Sequence, residues 1–216
     1  MIIPAILAKT SHELREKIRR AENFPGCRLV QLDIMDGRFV KNKSISARAI
    51  QKIQTRLNLE LHLMIQDPEK QMLAFVATRA KRIIVHFESS KRLKELFSTL
   101  KQAKINIGLA LNPKTPLEEI NPFVQDIDFL LLMAVDPGQY GSLFQSSVYR
   151  KICQARKQTP RLPIEIDGGV SLDNILKLHA SGADRFVVGS RIFLEKDPSE
   201  AYKQFRSVLR SSPYDH

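Results

Sequence analysis

Cysteine is scarce in this sequence: Cys27 and Cys153 are the two cysteines among 216 residues, and they form no CxxC pair. The pattern does not support the disulfide framework of a small secreted protein, and we expect two free thiols. No apolar run approaches the roughly 20 residues that a membrane-spanning helix needs. We therefore expect a protein of the cytoplasm. The apolar opening, residues 1–7, is short, has no basic leader and is followed by a charged helix, so it predicts a first strand.

Acidic residues are outnumbered: 34 lysines and arginines face 23 aspartates and glutamates, a formal net charge of +11. Such a charge suits an anionic partner, namely a nucleic acid, a membrane surface or a phosphorylated metabolite. No basic run is long enough to indicate a nucleic-acid arm, so we expect neither nucleic acid nor membrane as partner. The basic residues fall on separate predicted helices, where we expect them to face solvent: Arg15, Lys17, Arg19, Arg20, Arg48, Lys52, Arg56, Arg150, Lys151, Arg156 and Lys157.

Apolar runs of strand length alternate along the chain with segments of helical periodicity. The strand candidates are residues 2–7, 28–33, 59–64, 82–86, 105–111, 128–133, 163–167 and 185–188. The helix candidates are residues 11–22, 45–56, 68–78, 89–103, 117–124, 144–158, 172–180 and 199–209. Strict alternation indicates a parallel sheet, because parallel neighbours need a crossover and the crossover is usually a helix.

Eight such units predict an α/β fold, a single (β/α)₈ TIM barrel with a closed parallel sheet. The chain is long enough to bury a sizeable core, and we expect residues 1–216 to form one domain. A doubly wound open sheet is the alternative, but no GxGxxG motif follows the first strand. In such a barrel the active site lies at the carboxyl ends of the strands, so we expect the functional residues at those ends.

Three side chains that can bind metal, Asp33, His62 and Asp167, fall at or near predicted strand ends. Mixed nitrogen and oxygen ligands suit Zn²⁺, Fe²⁺, Mn²⁺ or Co²⁺, which can polarise a carbonyl and stabilise the enediolate formed when an adjacent carbon loses its proton. One aspartate on each face of that planar anion would epimerise the carbon. Taken singly, His62 also fits a hydrogen-bonded core histidine, and either aspartate fits a helix cap or a loop brace.

Two glycine-bearing turns follow the seventh and eighth predicted strands. Gly168 and Gly169 precede a helix, while Gly189 and Ser190 end the last strand. Glycine lets backbone N–H groups approach an oxyanion closely, and barrel enzymes frequently bind phosphate after these two strands. We therefore expect a phosphate site here, although such glycines also occur in ordinary tight turns.

Three methionines, Met35, Met64 and Met133, fall at or just beyond predicted strand ends. A thioether is apolar yet polarisable, so these side chains can cover an electron-rich planar intermediate without protonating it. Ordinary filling of the core is the alternative. We expect all three to contact the substrate or the intermediate.

Short motifs occur in order along the chain, at residues 33–40 with 42, 62–64, 85–86, 111–116, 131–133 with 136–138, 165–169, 182–184 and 188–190. Through them residues 4–193 resemble the ribulose-phosphate 3-epimerase family of the ribulose-phosphate-binding barrel superfamily. The resemblance implies a metal-dependent isomerase that interconverts D-ribulose 5-phosphate and D-xylulose 5-phosphate.

The resemblance also implies roles for particular residues: Asp33 and Asp167 are the paired acid and base and, with His62, the metal ligands. Phosphate contacts are implied for Gly141, Gly168, Gly169, Gly189 and Ser190. The superfamily commonly assembles, so we expect a homo-oligomer.

One departure from the family pattern concerns the metal directly. The family's fourth ligand is a histidine two residues before the first aspartate, and Gln31 stands there instead. A glutamine carbonyl is a weaker neutral donor than imidazole, so we expect lower metal affinity or a preference for harder ions. Further departures are Ala5 and Ala8 for serines, Arg38 for a histidine, Lys41 for a proline, Tyr140 for a glycine and Ser142 for a glutamine.

These departures leave several functions open. The chain can be a ribulose-phosphate epimerase of reduced activity, or an epimerase for a related ketose such as a ketohexose 6-phosphate. It can also be another enzyme of the same barrel that enolises or decarboxylates a phosphorylated sugar. A third possibility, from a different class, is a non-catalytic phosphosugar-binding or assembly protein that has lost the metal reaction. A fourth is a nucleic-acid module, which would need a steep salt dependence of binding and which the dispersed charge does not favour.

Overall fold

A computed structural model describes residues 1–138 and 143–212 of the chain. Their strands pair in parallel and in sequence order, and the last strand returns to the first to close a barrel. The strands are β1 (Ile2–Ile6), β2 (Leu29–Met35), β3 (Asn58–Met64), β4 (Arg82–His86), β5 (Asn106–Leu111), β6 (Phe129–Met133), β7 (Ile164–Asp167) and β8 (Arg185–Val188). The predicted (β/α)₈ TIM barrel is therefore confirmed.

Helices cover the outside of the barrel. The α-helices are α1 (Ser11–Glu22), α2 (Ala47–Gln51), α3 (Met72–Val76), α4 (Leu93–Gln102), α5 (Ser147–Gln158), α6 (Ile175–Ala180), α7 (Ser190–Phe193) and α8 (Pro198–Arg210). Short 3₁₀ segments lie at Pro68–Gln71, Phe87–Ser89 and Leu117–Phe123. The connection after β5 is predicted as an ordinary helix, but Pro122 lies inside it. Because proline has no backbone N–H and clashes with the preceding turn, this segment is 3₁₀.

Alternate residues of each strand face the helices and the barrel interior. The outward side chains form the main core between strands and helices, and the inward ones include a cluster of Ile84, Ala110, Phe129 and Leu131. Gly108 on β5 leaves room for this cluster. A Cβ at Gly108 would lie 2.6 Å from Phe129 Cζ and 2.7 Å from Ile84 Cγ1, so the large phenyl ring fills the space that the glycine vacates.

Charged side chains fill the amino end of the barrel. Phe129, the first residue of β6, contacts two guanidinium groups, with Arg82 5.5 Å and Arg185 5.2 Å from its ring centroid. Glu60 pairs with Arg82 at 3.1 Å, and Glu165 lies 3.9 Å from Arg185. Burial raises the pKa of both glutamates. These residues close the barrel at the end opposite the predicted site.

Lys151 on α5 is an exception to the expectation that the basic residues face solvent. It is buried, and its Nζ donates hydrogen bonds to the carbonyls of Asn112 (2.8 Å), Pro113 (3.3 Å) and Thr115 (2.6 Å). Desolvation lowers the pKa of Lys151 to about 8. The ammonium thus holds the loop after β5 against α5, because it satisfies carbonyl groups that the loop leaves unpaired.

The described part of the chain contains neither a disulfide bond nor a helix that could span a membrane. Cys27 is half-buried with its Sγ 3.5 Å from the carbonyl oxygen of Leu29, and burial raises the pKa of its thiol. Cys153 is exposed, and both are free thiols, as predicted. Within residues 1–138 and 143–212, no helix has the length and apolar character needed to cross a membrane.

Candidate active site

Strands β2, β3 and β7 bring three ionisable side chains to one point in the carboxyl half of the barrel. Asp33 on β2 pairs in register with His62 on β3, and Asp167 is the last residue of β7. One potential ligand atom from each residue lies within 4.8 Å of the others. His62 Nδ1 is 3.0 Å from Asp167 Oδ2 and 3.6 Å from Asp33 Oδ1. The three residues selected from the sequence therefore converge in space.

The two carboxylates determine the charge on the histidine. Desolvation is the largest single influence on the pKa of His62 and lowers it, but hydrogen bonds to Asp167 and Asp33, together with their charges, outweigh it and raise the pKa to about 10. Burial raises the pKa of Asp33, which makes it a stronger base than an exposed aspartate. Without a bound cation, His62 therefore carries a proton at neutral pH.

Gln31, at the family's histidine position, lies directly beside these groups. Its Nε2 donates hydrogen bonds to Asp33 Oδ1 (2.9 Å) and Asp167 Oδ2 (2.8 Å) and lies 3.4 Å from His62 Nδ1. Its Oε1 is buried and has no hydrogen-bond partner in the described part of the chain. The amide N–H group thus stabilises two adjacent carboxylates, whereas an amide nitrogen has no lone pair to offer a metal.

The donor set fits a divalent metal ion. Two carboxylate oxygens and one imidazole nitrogen within 4.8 Å of one another form a mixed set of the kind that transition ions bind. The unpaired Oε1 of Gln31 is a further oxygen donor on a side chain that already contacts all three ligands. Since Oε1 points away from the hydrogen-bonded carboxylates, the amide must turn before it can act as a fourth ligand.

A cavity of about 350 Å³ contains this cluster. Its lining includes Asp33, His62 and Asp167 together with Met35, Met64 and Met133. The three methionines are almost completely buried, and their thioethers form apolar walls beside the carboxylates. A larger surface groove of about 830 Å³ is lined by Glu88 and Arg92 but by none of these six residues. The smaller cavity is therefore the candidate active site.

The predicted phosphate turns open into the same cavity. Gly168 and Gly169 have φ angles of +99° and +66°, which favour glycine, and a Cβ on Gly168 would collide with a neighbouring valine. Gly189 directly precedes α7, of which Ser190 is the first residue. All four residues line the cavity. The first N–H groups of a helix lack intrahelical acceptors, so this edge of the cavity suits a phosphate. Gly141 lies outside the described residues.

Two residues of the site have no role in the sequence prediction. Arg191 follows Ser190 and lines the cavity, and its guanidinium makes no ion pair or hydrogen bond within residues 1–138 and 143–212. His86, at the end of β4, places its Nε2 2.8 Å from His62 Nε2. Both carry a signal in the sequence: Arg191 adjoins a predicted phosphate turn, and His86 ends an apolar strand.

Comparison with known proteins agrees with this geometry. Residues 1–193 match the model of the ribulose-phosphate 3 epimerase family. The chain is 34% identical to the chloroplastic ribulose-5-phosphate-3-epimerase of Arabidopsis thaliana, over 97% of this chain and 77% of that protein. It is 32% identical to the ribulose-phosphate 3-epimerase of Bacillus subtilis, over 95% and 97%. The crystal structure of 3-hexulose-6-phosphate synthase from Salmonella typhimurium shares the fold, with a TM-score of 0.73 at 16% identity over 98% and 99% of the two chains. The chain thus belongs to the ribulose-phosphate 3-epimerase family, a family of isomerases.

Proposed function

We propose that this protein interconverts D-ribulose 5-phosphate and D-xylulose 5-phosphate. The two sugars differ in configuration at C3, so a proton must leave one face of the sugar and another must arrive on the opposite face. The observation that carries the proposal is the convergence of Asp33 and Asp167 in one cavity. Their strands, β2 and β7, are separated by β8 and β1, so the two carboxylates approach the cavity from different directions.

Asp33 and Asp167 serve as paired acid and base. The carbonyl at C2 acidifies the proton on C3, and one carboxylate oxygen accepts that proton while the other carboxyl group donates from the far side. Burial raises the pKa of Asp33, which brings its basicity nearer to that required at neutral pH. Met35, Met64 and Met133 line the cavity and offer no proton to the planar sugar anion.

Asp33, His62 and Asp167 would also hold a divalent ion, which we infer to be Zn²⁺, Fe²⁺, Mn²⁺ or Co²⁺, with Gln31 as a weak fourth ligand. When bound, such an ion supplies positive charge that stabilises the negative charge developing on the sugar oxygens. Until the amide turns to offer Oε1 to an ion, Gln31 Nε2 donates to both aspartates and contributes to their orientation. This hydrogen bonding keeps the two carboxylates directed at the same point of the cavity.

Metal binding is expected to depend steeply on pH. His62 must be neutral to act as a ligand, and its pKa in the metal-free protein is about 10, so each Zn²⁺ bound near neutral pH should displace one proton. Protons compete with the metal, and the apparent affinity should therefore rise about tenfold per pH unit between about pH 7 and 9. Calorimetry in buffers of different ionisation enthalpy measures the released proton. The His12→Gln variant, which alters an exposed histidine on α1, should behave like the parent; a pH-independent affinity would contradict the prediction.

The sugar phosphate binds, in this proposal, at the turns formed by Gly168, Gly169, Gly189 and Ser190, with Gly141 as a further contact. The net charge of +11 favours an anionic substrate. Arg191 adds a guanidinium without an ion-pair partner in the described ranges, at the edge of the cavity next to Ser190. A phosphate is the substrate group that such a side chain binds best, because its oxygens match the planar N–H fork.

Replacing Arg191 with glutamine is expected to raise KM for ribulose 5-phosphate about tenfold, the value of one charged hydrogen bond, with little change in kcat. The inhibition constant for inorganic phosphate should rise in parallel, because the lost contact involves the phosphate and not the reacting carbon. Arg15→Gln on the exposed face of α1 is the matched control. If KM and the phosphate inhibition constant stay unchanged, Arg191 does not contact the phosphate.

Solvent exchange tests the proposed function directly. The protein, loaded with Zn²⁺, Mn²⁺ or Co²⁺, is incubated with ribulose 5-phosphate in D₂O, and NMR follows deuterium at C3 together with the formation of xylulose 5-phosphate. Exchange accompanied by epimerisation is the expected result. Binding without exchange would identify a phosphosugar-binding protein, and turnover of a ketohexose 6-phosphate alone would identify the related epimerase. Elemental analysis of the purified protein identifies the ion.

Two broader expectations remain predictions. We expect the protein to form a homo-oligomer, which light scattering of the purified chain measures. We also expect it in the cytoplasm, although a relative from Arabidopsis thaliana carries the name of a chloroplastic enzyme. Fractionation of the cells that produce the protein decides its location.

A further inference from the structure

The connection after β2 reaches across the mouth of the barrel. In this connection, Asn42 Nδ2 donates a hydrogen bond to the carbonyl oxygen of Gly138, 2.6 Å away in the connection after β6. The strands pair in sequence order around the closed barrel, so β2 and β6 lie four positions apart in a ring of eight, directly opposite each other. A contact between their connections therefore spans the carboxyl end of the barrel, where the candidate active site lies.

Packing reinforces this hydrogen bond. Gly138 has a φ angle of +97°, and a Cβ on it would lie only 2.6 Å from Val40 Cβ. Glycine at position 138 thus lets the two connections approach closely. Val40 is buried and packs with Met35 and Met64, two of the methionines that line the cavity. We refer to the contact of Asn42 and Val40 with Gly138 as the cross-barrel contact.

The connection after β2 is itself held in a fixed shape. Near its start, Asp36 Oδ1 accepts hydrogen bonds from the backbone N–H groups of Arg38, at 2.8 Å, and Phe39, at 2.9 Å. Near its end, Ser44 Oγ donates to the carbonyl oxygen of Asp33 at 2.8 Å. The cross-barrel contact therefore joins a well-ordered loop on one side of the barrel to the connection after β6 on the other.

The cross-barrel contact divides the carboxyl end of the barrel into two spaces. Gly138 lines the cavity of about 350 Å³, to which no described residue of β4 or β5 contributes. The groove of about 830 Å³ is lined by residues that follow β3, β4 and β5, among them Gln66 and Phe123. The backbone N–H of Gln66 donates to Asp36 Oδ2 at 2.9 Å, so the connection after β2 also contacts the lining of the groove. The contact thus forms the cavity wall on the side of β4.

A wall on this side limits where a bound sugar can lie. The candidate phosphate turns follow β7 and β8, on the cavity side of the cross-barrel contact. A sugar anchored there by its phosphate is confined between those turns and the wall, close to Asp33 and Asp167. Confinement of the reacting carbon affects the rate strongly, because a displacement of about 1 Å can cost about 100-fold.

We propose that Asn42 is a positioning residue: its hydrogen bond to Gly138 holds the cavity wall that keeps the sugar over Asp33 and Asp167. The kinetic part of this inference rests on the proposed function, whereas the wall itself is measurable without substrate or metal. Asn42 is exposed and is not among the residues that line the cavity. It therefore acts through the wall and not by touching the sugar.

Replacing Asn42 with aspartate tests the hydrogen bond alone. The side chain keeps its shape, but a carboxylate has no N–H to donate and brings a negative charge to the carbonyl oxygen of Gly138. Because position 42 is exposed, the core is unchanged and the barrel should fold as in the parent. Asn23→Asp is the matched control: Asn23 is also exposed, and its Nδ2 donates to the carbonyl oxygen of Arg19, at 3.2 Å, at the end of α1.

Oxidation of methionines by hydrogen peroxide measures the wall in the metal-free protein. Met35 and Met64 pack against Val40, so their oxidation should be about tenfold faster in Asn42→Asp, the effect of one lost hydrogen bond on local opening. Met72 is similarly buried but belongs to the main core, and it is the internal reference. A general loss of stability would accelerate all three methionines alike. Mass spectrometry of peptides gives the three rates, and Asn23→Asp should leave them unchanged.

Kinetics then separate positioning of the sugar from binding of its phosphate. For ribulose 5-phosphate, Asn42→Asp should lower kcat about tenfold, because the reacting carbon is held less precisely. The inhibition constant for inorganic phosphate and the affinity for Zn²⁺ should stay unchanged, since the phosphate turns and the candidate metal ligands are intact. Asn42→Gln keeps an amide N–H donor and should lie between the parent and Asn42→Asp in both oxidation and kcat.

Two results would overturn the proposal. If Met35 and Met64 are oxidised no faster relative to Met72 in Asn42→Asp than in the parent, Asn42 does not hold the wall. If their oxidation is faster but kcat is unchanged, the wall does not position the sugar. If the parent does not epimerise ribulose 5-phosphate, the proposed function fails, while the oxidation pattern still decides whether Asn42 holds the cross-barrel contact.

Discussion

Replacing Asp33 or Asp167 with asparagine is expected to lower kcat/KM for ribulose 5-phosphate by about 10⁴-fold, the upper range for loss of a catalytic acid or base. Asparagine keeps the shape of the side chain but cannot exchange a proton at neutral pH. It also offers a metal one neutral oxygen in place of a carboxylate, so each substitution removes a base and a ligand together. Coupled assay of xylulose 5-phosphate and NMR of exchange at C3 measure the loss.

Asp173→Asn is the matched control, because it makes the same chemical change at an exposed position six residues after Asp167. It should retain the activity of the parent. Circular dichroism of all three variants shows whether the barrel remains folded. Full turnover by either Asp33→Asn or Asp167→Asn would remove that residue from the proposed acid–base pair and with it the two-face mechanism.

Replacing Gln31 with histidine is expected to tighten Zn²⁺ binding by at least about tenfold, the smallest effect usual for partners of metal ligands. In the parent, Gln31 Nε2 donates to both aspartates and competes with a cation for them. An imidazole instead offers a lone pair beside Asp33, Asp167 and His62, which completes a set of four ligands. Competition with a chromophoric chelator measures the affinity, and kcat of the metal-saturated variant shows whether the rate rises as well.

Gln204→His on the exposed face of α8 is the control for binding of Zn²⁺ to any added histidine. It should leave the affinity of the cluster unchanged. If Gln31→His also leaves the affinity and the metal content unchanged, position 31 is not a ligand position in this chain. The departure from the family pattern would then have no bearing on the metal.

The barrel was predictable because apolar runs of strand length alternate with segments of helical periodicity. Continuous apolar runs such as β6, with the sequence Phe-Leu-Leu-Leu-Met, are typical of strands in a parallel sheet covered on both faces. The residue at which a strand ends depends on its pairing with the neighbouring strand, and the local sequence of one strand holds no information about that pairing. The sequence prediction ends β2 at Asp33, yet the strand continues to Met35 because Met35 pairs with Met64 on β3.

In the candidate site, too, some features were predictable from the sequence and others were not. Asp33 and Asp36 both follow apolar residues of β2, and the structure separates them: Asp33 faces the cavity, whereas Asp36 accepts hydrogen bonds from the N–H groups of Arg38, Phe39 and Gln66. Strand position made the convergence of Asp33, His62 and Asp167 predictable. The contact between His62 and His86 was not, because it depends on the rotation of two rings on neighbouring strands.

The closed amino end of the barrel limits how molecules reach the candidate site. The guanidinium groups of Arg82 and Arg185 both lie over the ring of Phe129 there, and each faces a buried glutamate, Glu60 or Glu165. The cavity that holds Asp33 and Asp167 is instead lined by residues at the carboxyl ends of the strands, so sugar, metal and water should reach the two aspartates from that side. A bound sugar should therefore slow the exchange of metal and protons between the aspartates and bulk water.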